Sequence, residues 1–302
     1  MAKTLVVVFG ATGFIGRHVV QKLVRCGYRV RAVVRRPEQA LFLTSMGDVG
    51  QVSLVQANVC SETDVRSATV GASAVVNAVG ILAERGSQSF HNLHVYNTQL
   101  MVKAAMGAKA GHFVHISAIG ADKTSPSKYS RTKALGEVAV DGFSGAISIL
   151  RPSLVFGPQD KFFNRFAAMS RLSPVMTIVN GSTRFQPVYV GDVAESVVRM
   201  LAKVPKARDL IELGGPSTYS FRELIELILQ QVGRRRFLIS LPDRIAMPLA
   251  FVLGLMPDPS LTTDQVRLLR RDNITSGAAR GLVDLDIVPT PLEAILPQYL
   301  RR

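Results

Sequence analysis

The chain has 302 residues, 47% of them hydrophobic and 19% charged, which supplies a large core and excludes a disordered polymer. Thirty-six Lys and Arg against 22 Asp and Glu give a net charge of +14, which points to an anionic partner such as phosphate or a membrane surface. No basic tail or aromatic-interleaved basic run accompanies that charge, so nucleic acid is not expected; two cysteines, Cys26 and Cys60, exclude a disulfide framework, and no apolar stretch reaches the ~18–20 residues of a membrane span.

The run Leu5–Phe9 reads as a buried parallel strand, beginning early enough to leave no room for a signal or transit peptide in the sequence as given. It leads into Gly10, Ala11, Thr12, Gly13, Phe14, Ile15 and Gly16, and then an amphipathic helix through Val24. Strand, glycine turn and helix together make a phosphate site, because glycine lets the backbone approach a pyrophosphate and the helix start presents free N–H groups. Residues 28–34 alternate as a second strand ending at Arg35 and Arg36. A carboxylate there would hold the ribose hydroxyl of NAD, whereas guanidinium groups suit the 2′-phosphate of NADP, so NADP(H) is preferred over NAD(H).

Residues 52–55 read as a third strand, followed by Asn58 and Val59 where an adenine ring would lie. Residues 74–77 are a fourth strand, closed by the small turn Ala78, Val79 and Gly80. Helical spacing runs from about Ser89 to Met106 and includes Asn97, with His91 and His94 as ordinary surface histidines. A fifth strand, 112–116, ends at Ser117; His112 and His115 on it face opposite sides and cannot share a metal, and no metal is expected. A helix over about 127–140 and a sixth strand over 147–150 follow, with Arg151 and Pro152 at its end. Strands alternating with helices predict an α/β doubly wound parallel sheet whose ligand lies at the strands' carboxyl ends.

The pattern loosens after residue 157, and 158–302 reads as a smaller, mostly helical C-terminal lobe, with 187–215 returning to the sheet. Asp192 is expected to cap a helix over 193–201, and Ser220 a strongly amphipathic one. Residues 245–256 carry no charge; the favoured reading is a helix packed into the small lobe, the sharper one a lipid-facing or partner-facing surface beside Arg234–Arg236.

Tyr129 and Lys133 stand at i and i+4 of one helix, so the ammonium is expected to lower the phenol's pKa and fit it for proton transfer. Ser117 would polarise a substrate carbonyl. Glu137, one turn later, reads as a helix-face charge.

The glycine turn, the Tyr129–Lys133 helix, Arg151–Pro152 and Val188–Asp192 together resemble the extended and atypical short-chain dehydrogenase/reductase superfamily. More narrowly, NAVGILAERG (77–86), SQSFHNLHV (87–95), VFGPQDKFFNRF (155–166), RFQPVYVGDVA (184–194) and LTTDQVRLLRRDN (261–273) are similar to the NAD(P)-binding accessory subunit of respiratory complex I and its bacterial homologues, over nearly the whole chain. The resemblance implies a Rossmann domain over 1–157 that holds NADPH structurally. It also implies a second lobe contacting complex I subunits and the membrane surface near the quinone site, on the cytoplasmic or matrix face of the inner membrane. In the wider superfamily the residues matching Ser117, Tyr129 and Lys133 carry catalysis, the one matching Asn97 helps relay protons, and Pro152 falls in the cofactor-binding set. The chain departs from active members in having Ala118 beside Ser117, and Asn58 where an aspartate is common. The alternative the residues leave open is a free-standing NADP-dependent oxidoreductase or epimerase acting on a carbonyl or quinone-pathway substrate, with Tyr129 as acid/base.

Overall fold

A computed structural model describes residues 4–86, 88–203, 207–254, 256 and 261–300. Strand β1 (Leu5–Phe9) feeds helix α1 (Phe14–Arg25), which buries Val19, Val20, Leu23 and Val24 at helical spacing. Then come β2 (Arg29–Val34), β3 (Val52–Gln56), α2 (Glu62–Thr69) and β4 (Ala74–Asn77). A π-helical turn over Asn92–Tyr96 opens α3 (Asn97–Gly107), and β5 (His112–Ile116), α4 (Lys128–Val140) and β6 (Ala146–Pro152) complete the first half.

The second half contains β7 (Val155–Phe156), α5 (Phe162–Leu172), β8 (Val175–Val179), β9 (Arg184–Phe185), β10 (Val188–Tyr189), α6 (Val190–Ala202), β11 (Arg208–Leu213), β12 (Tyr219–Ser220), α7 (Phe221–Gln231) and β13 (Phe237–Leu241). Helices α8 (Asp243–Gly254), α9 (Thr263–Leu268) and α10 (Leu292–Tyr299) end it.

Seven strands form one parallel sheet in the order β11-β6-β5-β4-β1-β2-β3. The order reverses between β1 and β4, and that switch point opens a crevice at the strands' carboxyl ends. Period-two alternation splits the strands between two cores: Val6 and Val8 pack with α1 and α6 on one face, Val7 and Phe9 with α3 and Phe113 on the other. Burial on both faces is why these strands read as continuous apolar runs.

A third core, built around Phe156, Phe163, Ile178, Leu224, Ile228 and Leu296, packs α5, α7 and α10 together, and three two-stranded pairs, β10–β7, β12–β9 and β13–β8, lie outside the main sheet. Ser220 caps α7 in a reciprocal box with Glu223. Asp192 is not a cap: α6 starts earlier, with Tyr189 at its N-cap, and the buried Asp192 carboxylate accepts from Thr290 N and Oγ1 at 2.7 and 2.9 Å. Residues 243–254 are one helix despite Pro248; Ala246 and Ala250 are buried against Val179 and Val266, while Ile245, Phe251 and Val252 are exposed. The helix is thus packed on one side and open on the other. Leu255 lies outside the described residues. No helix among the described residues is long and apolar enough to cross a membrane.

Candidate functional site

The glycine turn is built for close approach. Gly10 has φ +78°, and a Cβ there would stand 2.8 Å from the carbonyl carbon and oxygen of Ala78, so the β1 and β4 loops touch across the crevice. Gly16 lies under the turn, where a Cβ would meet Gly10 O at 2.1 Å. Gly13 stands at the N-cap of α1 with no side chain capping the helix. The first-turn N–H groups of Phe14, Ile15 and Gly16, with Thr12 before them, are arranged as an anion-binding start. Arg17 braces the turn from behind, its Nη2 donating to Thr12 O at 2.7 Å and its guanidinium lying 5.1 Å from the Phe42 ring centroid. Sequence reasoning missed Arg17, although its place one residue after the last glycine was a signal.

Arg35 and Arg36 are exposed at the end of β2, and neither makes an ion pair with a described residue. Asn58 is exposed at the end of β3, its Oδ1 accepting from Cys60 N at 3.0 Å. Val59 follows, and the buried Asn97 amide donates to Val59 O and Asn92 O at 3.1 Å each. Asn97 thus ties the start of α3 to the loop after β3. On the β4 side, Val79 N donates to Asn77 Oδ1 at 3.1 Å, and Asn77 Nδ2 bonds Thr98 and His115.

At the other end of the crevice, Lys133 Nζ donates to Ile116 O at 3.0 Å and lies 6.0 Å from the Tyr129 ring centroid. A Cβ on Gly80 would sit 3.5 Å from Lys133 Nζ and 3.9 Å from His94 Nε2, so these three converge. Burial pushes the Tyr129 phenol up to about 12, against the lowering expected from Lys133, and pulls Lys133 down to about 8, with Glu137 opposing. Pro152, buried at the end of β6, accepts from Ile119 N at 3.0 Å and holds the segment after Ser117.

Ser117 is engaged by a neighbour. Its hydroxyl donates to Glu137 Oε1 at 2.5 Å, and Glu137 accepts both Nε and Nη2 of Arg151 at 2.8 and 2.6 Å. Glu137 is a buried carboxylate, 4% exposed, and not a helix-face charge. The single hydroxyl proton of Ser117 is directed at Glu137 in this arrangement.

His94 is also not at the surface, unlike exposed His91. In the π turn Asn97 N–H reaches back five residues to Asn92 O, and the wider turn carries His94 inward. Its Nδ1 meets Thr132 Oγ1 at 3.0 Å and its Nε2 meets Ile81 N at 3.4 Å; the ring stacks on Phe90 and stands edge-on to Tyr129. Because Ile81 N can only donate, Nε2 accepts and the proton sits on Nδ1.

Burial, then Lys133 and His115, push His94 down to about 2, and burial, then Lys133, push His115 down to about 3. Both are neutral in the folded chain, while the unfolded chain protonates each near 6.5. The stability they confer is present above pH 6.5 and drains as pH falls toward those folded values, by up to about 1.4 kcal/mol per pH unit for each ring. Urea unfolding between pH 6 and 4.5 is expected to show this slope, and His94→Phe to flatten it by about one proton's share. An unchanged slope in that variant would exclude His94 from the acid response.

Among the described residues no group of three His, Cys, Asp or Glu side chains is placed to hold a metal. The cradle formed by Gly10 and Gly16, the uncapped start of α1 and the exposed Arg35 and Arg36 after β2 fit a dinucleotide.

Residues 10–151 match a family model described as NAD(P)H-binding. A Mus musculus protein named NADH dehydrogenase (ubiquinone) 1 alpha subcomplex subunit 9, mitochondrial, is 32% identical over 298 residues, covering 98% of this chain and 79% of that one. Its Arabidopsis thaliana namesake is 31% identical, covering 97% of this chain and 76% of its own. Among solved structures, the NADPH-dependent quinone oxidoreductase of Escherichia coli complexed with NADPH superposes with a TM-score of 0.75 at 18% identity, covering 98% of both chains, and shows the shared fold.

Proposed function

The chain belongs to the family of the NADH dehydrogenase (ubiquinone) 1 alpha subcomplex subunit 9 proteins, and from that membership and the geometry of the crevice we propose that it holds NADP(H) as a structural group within respiratory complex I. Bound there, the nucleotide would bring a transferable hydride. Gly10, Thr12, Gly13, Phe14, Ile15 and Gly16 would hold its pyrophosphate, and Arg35 and Arg36 the 2′-phosphate. Asn58 and Val59 would face the adenine, while Ala78, Val79, Gly80, Tyr129, Lys133 and Pro152 would line the nicotinamide half. The observation that carries the structural reading is the hydroxyl of Ser117, directed in this arrangement at Glu137 rather than at a substrate carbonyl.

The proposed setting is peripheral, on the cytoplasmic or matrix face of the inner membrane. Ile245, Phe251 and Val252 on α8 and Phe237 and Ile239 on β13 are exposed, with Arg235 and Arg244 exposed beside them in sequence, a composition suited to an anionic lipid surface or a partner subunit. A second reading, an NADP-dependent oxidoreductase or epimerase, draws on Tyr129 beside Lys133, whose lowered pKa of about 8 suits proton exchange near neutrality.

The deciding experiment identifies the nucleotide released from the purified chain and follows its exchange and oxidation against carbonyl and quinone compounds. NADPH that exchanges slowly and is never oxidised is expected; turnover abolished by Tyr129→Phe would establish the second reading instead. Arg35→Glu with Arg36→Glu is expected to weaken NADPH by roughly 10- to 100-fold, the scale of one or two charge-assisted contacts, and NADH much less. Equal losses for both nucleotides would remove the argument from these arginines.

A further inference from the structure

Helix α4 carries Tyr129 and Lys133, and its first turn is held from the other lobe. Asp264, in α9, accepts from Ser127 Oγ at 2.8 Å, Lys128 N at 2.7 Å and Tyr129 N at 3.1 Å. Two of these donors are backbone N–H groups of the helix start, which otherwise have no intrahelical partner. Ser127 itself caps Ser130 N, so its hydroxyl links Asp264 to the next residue of the turn. The same C-terminal segment meets the β5–α4 connection twice more: Arg271 Nη1 bonds Asp122 Oδ2 at 2.8 Å, and Asn273 Nδ2 meets Ile119 O at 3.4 Å. The connection that leads from Ser117 to Tyr129 is thus gripped along its length by residues more than 130 positions later.

Behind Asp264 stands Val266, fully buried against Ala246 and Ala250 of α8. The outer side of α8 is the exposed apolar face with Ile245, Phe251 and Val252. A continuous packed path therefore runs from that face through α9 to the backbone of Tyr129.

We propose that Asp264 is a positioning residue for the nicotinamide end of the crevice: it sets the first turn of α4 from the C-terminal lobe and makes the grip on the nicotinamide half of NADP(H) depend on that lobe. The proposal rests on the nucleotide reading given above. Its chemistry is specific. A carboxylate can accept all three donors and also complements the positive end of the helix. Asparagine keeps one acceptor and turns an N–H group toward another; alanine keeps none.

The test compares NADPH with adenosine 2′,5′-bisphosphate, which occupies only the adenine half, on the full-length wild-type chain, Asp264→Ala and Asp264→Asn. Asp264→Ala is expected to weaken NADPH about tenfold, the scale of a lost helix cap, while the bisphosphate changes less than about twofold. Asp264→Asn should fall between, and it carries the comparison if the alanine variant does not fold. Backbone amides of residues 128–131 should exchange hydrogen faster in the variants, with those of the α1 first turn unchanged. A general loss of stability would weaken both ligands alike, and that result, or no change in either, overturns the proposal while leaving the nucleotide reading intact. A wild-type chain that binds neither ligand overturns the nucleotide reading and this proposal with it.

Discussion

Replacing Gly16 by alanine is expected to remove dinucleotide binding and to cost the fold roughly 3 kcal/mol, the upper end of what overpacking does. The reason is local. The added Cβ would stand 2.1 Å from Gly10 O, 2.8 Å from Gly10 C and 3.0 Å from Ala11 Cα, all of them backbone. No side chain can rotate away, so α1 must leave the turn, and α1 also buries Val19, Val20, Leu23 and Val24 in the core. The N–H groups at its start then no longer face the site. Gly13 is the control: its Cβ would meet only Gly10 O, at 3.1 Å, and its φ of −66° suits any residue. Gly13→Ala, which needs Gly10 O to yield by only a few tenths of an ångström, should lose clearly less stability than Gly16→Ala, with its main loss in nucleotide affinity. Thermal melting and NADPH titration of the two variants check this, and a Gly16→Ala chain that melts and binds like wild type would mean the turn is looser than described.

The second large effect is expected at Glu137. Truncation to alanine should destabilise by about 3–5 kcal/mol, because it strands one partner of a buried ion pair. Arg151 would retain Glu212 at 4.0 Å but lose both short contacts to Glu137, and Ser117 would lose its acceptor. Ser117→Ala should cost only about 1 kcal/mol, a single net hydrogen bond. Urea unfolding of Glu137→Ala, Ser117→Ala and the double variant would give a non-additive cycle, since all three side chains share one network. A loss below about 1 kcal/mol for Glu137→Ala would show that the pair is solvated in solution, where such pairs contribute little. Freed from Glu137, Ser117 could donate to a ligand, so the same variant also tests whether this pair keeps the site from turnover.

The parts of the fold that sequence made legible are those fixed by neighbours in the chain. Leu5–Phe9 is apolar throughout and Ala74–Asn77 at three of four positions because both faces of a parallel sheet are covered, and His112–Ile116 is buried at every position although it carries two histidines. Gly10 marks the crevice because only glycine suits its φ and its distance to Ala78. What stayed hidden depends on partners far along the chain. Glu137 looked like a surface charge on its own helix, but its partner Arg151 arrives on the next strand. Asp192 resembled a cap because an acidic residue preceded an apolar helix, yet its acceptors serve Thr290, 98 positions later. His94 was misplaced because helical periodicity assumes regular turns, and the π turn adds a residue that no local pattern announces. For residues 245–256, uniform apolarity could not say which side faces inward; the two alanines do, and the bulkier side chains remain outside.

The outer edge of the seven-stranded sheet is finished by the far end of the chain. Glu212 N on β11 donates to Arg280 O at 2.9 Å, Glu212 Oε2 accepts from Ser276 N at 2.6 Å, and Arg280 pairs with the buried Asp209. During synthesis, therefore, the nucleotide-binding half emerges from the ribosome with a bare strand edge. It stays so until residues 276–280 have followed it out, an interval in which unpaired N–H and C=O groups can recruit another chain. Lesions near Arg280 would thus surface as failures of a sheet whose first strand was made some 270 residues earlier, and a chaperone that covers β11 would matter most in that interval.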